Sequence, residues 1–279
     1  MPVPTIVSRA RAVYQRYRDL NGRATAAAIT LYGFLALFAL AVLAVAIVGF
    51  LSADKKDVAR DIVNWLGVKG SAAKTITDAV GTARQSRRVA SVVGIVGLIW
   101  IGSSFAVAIG HAYDIAWRVP QRVAMARLRG LGWLAGAGVL LSVASLVTAG
   151  LAALPGALAP LVLVASVFVN LLVWLWTSWI LPNRRVPWRA LLPAALVGAV
   201  GLEILKLVGG YVVPVLVARS SALYGTLGVV FALLTWLLVL GRLVVLVSVI
   251  EVLGWERAHG TDDLVISAPA LPLDDERVH

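Results

Sequence analysis

The stretch that decides the fold is Gly130–Leu181, GLGWLAGAGVLLSVASLVTAGLAALPGALAPLVLVASVFVNLLVWLWTSWIL, 52 residues without a single charge. As one α-helix it would run about 78 Å at 1.5 Å per residue, against a bilayer hydrocarbon core of about 30 Å. Pro155-Gly156 and Pro160 fall inside it, and Pro and Gly break helices. The run therefore reads as two membrane spans, Leu131–Leu154 and Leu158–Leu181. Working outward from them, Ala24–Ala53 is another 30 residues without charge. Val89–Trp117 is charge-free as far as Asp114, and Ala190–Val217 and Leu223–Leu253 complete the set. The expected fold is all-α: a polytopic membrane protein, a bundle of six transmembrane helices. The first span is too long for a signal-peptide core, and no small-x-small cleavage site follows it.

Composition agrees. Of 279 residues, 60% are hydrophobic and 14% charged, with a mean hydropathy of +0.90. An ordinary soluble domain is nearer half apolar and a quarter charged, so soluble, fibrous and disordered chains are excluded. The chain has no Cys, which removes disulfides, zinc thiolate sites and thiol nucleophiles. His111, His259 and His279 are scattered, so neither a metal site nor a cofactor is expected. A net charge of +11 would suggest nucleic acid in a soluble protein. Here Lys and Arg flank apolar spans, the pattern that orients helices and meets anionic headgroups. No basic stripe is interleaved with aromatics, so the expected partners are membrane lipids, anionic ones included, and no nucleic acid. A homo-oligomer stays open.

With the N-terminus inside, the segments on the cytoplasmic side carry fourteen Lys and Arg and those outside carry nine. Trp117, Trp133, Trp174, Trp176, Trp179, Trp188 and Trp255 gather at the ends on the cytoplasmic side, where interfacial aromatics sit. The expected organisation is a cytoplasmic basic segment (1–23), a membrane domain (24–253) with an outer loop (54–88), and a disordered cytoplasmic tail (254–279). The expected location is the bacterial cytoplasmic membrane, with both termini cytoplasmic. In the outer loop, Val58, Ile62, Trp65 and Leu66 fall on one helical face, and a weaker stretch holds Ile76 and Val80. Such a helix lies flat on a membrane or forms a cap with a core of its own.

Ionisable residues at membrane depth are the informative ones, because each costs several kcal/mol unless paired or wetted. Glu203 and Lys206 lie near the middle of the fifth span at i, i+3, close enough to pair. Arg242 lies about 16 Å inside the sixth span, counted from its inner end, and its guanidinium can hold a carboxylate or phosphate through two hydrogen bonds. Together the three suggest a polar substrate pathway between the fifth and sixth helices; a structural network that fixes helix packing is the alternative. His111 and Asp114 form a second i, i+3 pair, a polar relay or an interfacial anchor, with Asp114 pairing to Arg118 and staying hydrated. Glu251 reads as a further anchor. Tyr32 with Thr30, and Ser103 with Ser104, are hydroxyls at depth with the same relay-or-anchor reading. Gly198, Gly201, Gly209 and Gly210 surround the Glu203/Lys206 pair and Pro214 follows; Gly- and Pro-interrupted helices bearing charges are used in transport sites. No catalytic residues are expected: there is no phosphate-cradling loop, no His-rich metal motif and no nucleophile elbow.

Several runs carry a resemblance. They are Ala26-Ala27-Ala28-Ile29-Thr30-Leu31-Tyr32, Ala112-Tyr113-Asp114-Ile115-Ala116-Trp117, Gly201-Leu202-Glu203-Ile204-Leu205-Lys206, and Tyr224-Gly225-Thr226-Leu227-Gly228 with Trp236 and Arg242 beyond it. In this order, over residues 9–257, they resemble the YihY/BrkB family of bacterial inner-membrane proteins, most like its YhjD branch. The resemblance implies six helices and a role in envelope integrity. The YhjD branch is associated with export of lipopolysaccharide precursors, and BrkB with resistance to serum killing. Glu203, Lys206 and Arg242 match charged positions of that branch. A ribonuclease label attached to some members finds no nuclease metal constellation here. The leading expectation is a transporter or flippase for an anionic envelope lipid or other amphiphile, not an enzyme. The alternative is a non-transporting scaffold or regulator of envelope assembly.

Overall fold

The computed structural model describes residues 6–54, 71–120, 123–152, 159–184, 186–224 and 226–260. Among them regular structure is helical throughout: α1 (Ile6–Asp19), α2 (Gly22–Asp54), α3 (Ser71–Gly97), a π-turn (Leu98–Gly102), α4 (Ser103–Ala116), α5 (Val123–Ala152), α6 (Ala159–Ile180), α7 (Trp188–Tyr224) and α8 (Thr226–His259). Five stretches of the described residues are long and apolar enough to cross a bilayer: Gly22–Phe50, Arg88–Ala116, Leu163–Ile180, Trp188–Val212 and Leu227–His259. A further charge-free run fills α5 from Leu131 to Ala152, about 33 Å of helix and so a sixth span by the same length argument. Large apolar side chains point outward along these rods, among them Phe38, Ile47, Val96, Leu146, Leu207 and Phe231. In water that surface would drive aggregation; in lipid it is the solvated one.

Chain contacts separate two compact units, Met1–Leu31 with Phe105–His279, and Tyr32–Ser104. In the first, α5 packs on α6, α6 on α7, and α7 on α8, the most extensive pair, while α1 lies along α8. The core is mainly small or β-branched, with Ala26, Ala106, Ala195, Ala199, Val245 and Val247 at its centre and Tyr113 and Trp117 fully enclosed at one end. Small residues let helices approach closely. A Cβ added at Gly241 of α8 would lie 2.7 Å from the Ala26 carbonyl of α2. In the second unit Gly94 lies against the backbone of Leu43, and Gly97 against Ala39.

Several element ends differ from the sequence expectation for one reason: charge ends an apolar run but not a helix, since Glu, Lys and Arg have good helix propensity. Residues 71–88, expected in the outer loop, are the first part of α3, and the rod continues through the π-turn to Ala116. The helix α8 runs past Leu253 to His259. The basic N-terminal segment holds the helix α1, whose Ala10, Val13 and Tyr17 form a readable apolar stripe. Pro160 sits in the first turn of α6, where the missing N–H breaks no hydrogen bond. The expected amphipathic face at 58–66, the Pro155-Gly156 break and the tail from Thr261 lie outside the described residues.

Candidate functional site

Glu203 lies on α7, and Lys206 follows it by one turn. Helix α6 places Ser166 and Asn170 opposite. Glu203 Oε2 accepts from Asn170 Nδ2 at 2.7 Å, from Ser166 Oγ at 3.1 Å and from Lys206 Nζ at 2.6 Å. Lys206 Nζ also donates to Ser166 Oγ at 2.8 Å, so the hydroxyl links cation to carboxylate. Asn170 is ten residues from the end of α6 at Ile180, about 15 Å of helix, which sets the cluster near the middle of a bilayer core. The two charges are not equally sheltered: the Glu203 side chain is 14% exposed and that of Lys206 47%.

The glycines nearby are seats for neighbours. A Cβ at Gly198 would enter the Trp174 indole, one at Gly201 would meet Leu243, and one at Gly209 would enter the Trp236 ring, while Gly210 faces open space. The helix α7 runs unbroken through Gly209, Gly210 and Pro214 to Tyr224, so no interrupted helix forms here. In a membrane, neighbouring helices and local adjustment absorb the group that Pro leaves unpaired.

Arg242 faces other company. It lines a cleft of about 670 Å³ with Arg23 of α2 and Tyr14 and Tyr17 of α1, whereas Glu203 and Lys206 bond with α6. The three expected pathway residues thus divide between two places. Gly241 packs on Ala26, so Arg242 is level with the first turns of α2, near the basic end of the membrane domain.

A second polar cluster closes the same unit where α4 ends. Asp114 is buried and accepts the Asn183 backbone N–H at 2.7 Å, while Asn183 Nδ2 donates to the Pro120 carbonyl at 3.0 Å. Arg129 donates to the Pro182 carbonyl at 3.1 Å. Asp114 therefore ties down the α6–α7 connection and does not pair with Arg118, which is exposed with φ 54°. Arg118 occupies the left-handed position of a Schellman-type stop: its N–H bonds Ile115 O, and the Val119 N–H bonds Asp114 O. Glu251 is 3% exposed, with the Trp117 indole N–H on Oε1 at 3.2 Å. Ser178 bonds Tyr113 Oη at 3.1 Å. Arg184 lies 5.0 Å over the Trp117 ring and 5.6 Å from that of Trp255. Trp117 and Trp174 are therefore core residues, while Trp179 and Trp188 stay exposed as interfacial aromatics do.

The remaining candidates are local. Thr30 Oγ1 donates to the Ala26 carbonyl at 2.8 Å, and Tyr32 is exposed. Ser103 and Ser104 both donate to the Trp100 carbonyl, at 2.9 and 2.8 Å. That carbonyl belongs to the π-turn, whose widened ring disturbs the regular i, i+4 pattern. His111 is exposed, on the opposite side of the solvent boundary from buried Asp114.

Residues 13–264 match the family model described as "Virulence factor BrkB". The chain belongs to the BrkB family. An uncharacterized protein of Dickeya dadantii (strain 3937) is 28% identical over 268 residues, which cover 86% of this chain and 81% of that one. Inner membrane protein YhjD of Escherichia coli (strain K12) is 26% identical over 255 residues, 80% of this chain and 74% of that one. No solved structure matches the chain. In this BrkB-family membrane protein, the run at 26–32 supplies the contact of Ala26 with Gly241. The run at 112–117 makes the enclosed cluster, and the run at 201–206 carries the ion pair.

Ser166, Asn170 and Ser178 escaped the sequence reading. Asn170 had a signal, a strong hydrogen-bonding side chain alone in a long apolar helix. The two serines had none, since serine is frequent in membrane helices and can bond its own backbone.

Proposed function

We propose that this protein is a transporter or flippase of the bacterial inner membrane that moves an anionic envelope lipid, or a similar amphiphile, past the Glu203–Lys206 cluster. One observation carries the reading: near mid-membrane the carboxylate is sheltered and holds three donors, while the ammonium beside it is half exposed. A charge facing lipid costs several kcal/mol, so packing alone gives no reason to leave the ammonium half exposed at that depth. A tethered ammonium facing outward suits transient neutralisation of a passing headgroup. Ser166 and Asn170 stabilise Glu203 each time the headgroup draws Lys206 away.

The inner membrane is the location named for the E. coli relative YhjD, and the Lys and Arg excess on one side favours both termini in the cytoplasm. In this reading the protein is a carrier and not an enzyme. Its partners are membrane lipids, and a homo-oligomer is compatible with the mechanism. The test uses the full chain in proteoliposomes with fluorescent phosphatidylglycerol and an outer-leaflet quencher. Translocation is expected in the wild type and is expected to fall to the level of empty liposomes in the folded Glu203→Gln/Lys206→Met variant. A double variant as active as the wild type would remove the cluster from the pathway. Loss of cellular function on deleting residues 54–86, with none on neutralising the pair, would favour the scaffold reading.

A further inference from the structure

Two adjoining clefts at the basic end of the first unit share Tyr14, Tyr17 and Arg23. The smaller, about 540 Å³, adds Arg18, Asn21 and Gly22. The larger, about 670 Å³, adds Arg242 with the apolar side chains Val13, Leu246 and Ile250. Among the described residues lining them there is no Asp or Glu. Arg16, on the same helix α1, is already committed to Glu256 at 2.9 Å. Among the described residues neither Arg23 nor Arg242 is given a carboxylate.

The backbone adds to this field. Asn21, at φ 49°, turns the chain between α1 and α2, and its carbonyl accepts the Ala24 and Thr25 N–H groups. Gly22 opens α2 with the Tyr17 ring against its Cα, a contact that any Cβ would obstruct. Asn21 thus caps two of the first four N–H groups of α2; those of Gly22 and Arg23 precede the capped pair, and with the macrodipole the helix start favours an anion. Two guanidiniums, two phenols and the start of a 33-residue helix therefore converge on one space, beside an apolar wall.

We propose that this space binds the phosphate headgroup of an anionic membrane lipid: Arg23 and Arg242 hold the phosphate, and Val13, Leu246 and Ile250 accompany the start of an acyl chain. Guanidinium is the side chain suited to phosphate, through paired N–H···O bonds. Free phosphate would satisfy the arginines but leave the apolar wall bare, which favours a lipid as the source. The inference goes beyond the proposed transport function and does not rest on it, because it concerns binding on α1, α2 and α8 only.

The test is calorimetric titration of the full-length protein in neutral detergent with three probes: dihexanoyl phosphatidylglycerol, dihexanoyl phosphatidylcholine and inorganic phosphate. The wild type is expected to bind phosphatidylglycerol about tenfold or more tightly than either other probe. Arg23→Gln and Arg242→Gln are each expected to weaken it by about tenfold or more. Arg189→Gln, the same loss of charge at an exposed residue of α7 that lines neither cleft, is expected to stay within about twofold of the wild type, because an exposed charge outside the site is screened. Arg242→Lys is expected to fall between, since it keeps charge without the bidentate fork. Glu203→Gln/Lys206→Met is expected to bind as the wild type does, which separates this site from the proposed pathway. Unchanged binding in folded Arg242→Gln, inorganic phosphate as tight as the lipid, or loss of binding in the α7 double variant would each overturn the proposal. If the arginine variants fail to fold, tighter binding of phosphatidylglycerol than of the other two probes, kept in the Glu203→Gln/Lys206→Met variant, still supports the proposal, and equal binding of the three probes or loss in that variant overturns it.

Discussion

Glu251 and Glu203 are carboxylates of the same helical unit, both within membrane-spanning helices, and their surroundings differ in how far they are enclosed. Glu251 is 3% exposed and sits with Trp117, Tyr113 and Ser178, all fully or almost fully enclosed. Glu203 holds three donors where Glu251 has the Trp117 indole on Oε1 and, among the described residues, no hydrogen bond on Oε2, but one of the Glu203 donors, Lys206, is 47% exposed. A closed polar cluster is served only by its own members, so it selects one arrangement of α4, α6 and α8 and holds it. An open one keeps its ion pair but leaves part of one charge facing outward. The chain thus contains one enclosed polar cluster, a lock, and one that stays partly open.

That distinction can be broken by measurement. The largest effect is expected for Trp117→Ala, which empties a fully buried site and takes away the indole N–H on Glu251 and the ring beneath Arg184. It should cost about 3–5 kcal/mol of stability, read from unfolding in detergent or bicelles; wild-type stability would mean that the lock is no lock. Gly241→Ala comes next. Its Cβ would lie 2.7 Å from the Ala26 backbone carbonyl, which cannot swing away as a side chain can, so about 1–3 kcal/mol is expected. Asp114→Ala removes the acceptor of the Asn183 N–H and should cost about 1–2 kcal/mol, whereas Asp114→Asn keeps an acceptor and should cost less. If the two substitutions are equal, the hydrogen bond is not what anchors the α6–α7 connection. The smallest stability effect is expected for Lys206→Met, about 1 kcal/mol or less, because relieving a half-exposed ammonium at that depth offsets the pairing that Glu203 gives up, and Ser166 and Asn170 still hold the carboxylate. Its effect should fall instead on transport. A loss of stability as large as that of Trp117→Ala would merge the two clusters into one structural class.

Much of this was legible before the fold. The apolar runs announce their helices because their length has no other use. The pairing of Glu203 with Lys206 follows from their i, i+3 spacing alone. What spacing could not show is which neighbour each residue faces. Arg242 reads with Glu203 as a charge within the apolar spans, yet it lines a cleft with Arg23 and the tyrosines of α1. Asp114 has Arg118 at a helical interval, but the helix stops in a left-handed residue there, and a backbone N–H 69 positions away takes the carboxylate. The glycines around Glu203 read equally well as hinges or as packing seats. Only the presence of Trp174, Leu243 and Trp236 against them decides for packing.

The sequence by itself therefore determined that this protein is a bundle of membrane helices, and which helix carries each charge. Hydropathy and helical rise are properties of one chain segment and need no partner. The tertiary structure alone decided which charges are enclosed and which remain open. That depends on the rotation and tilt of each helix against its neighbours, and these are set by side chains far apart in sequence.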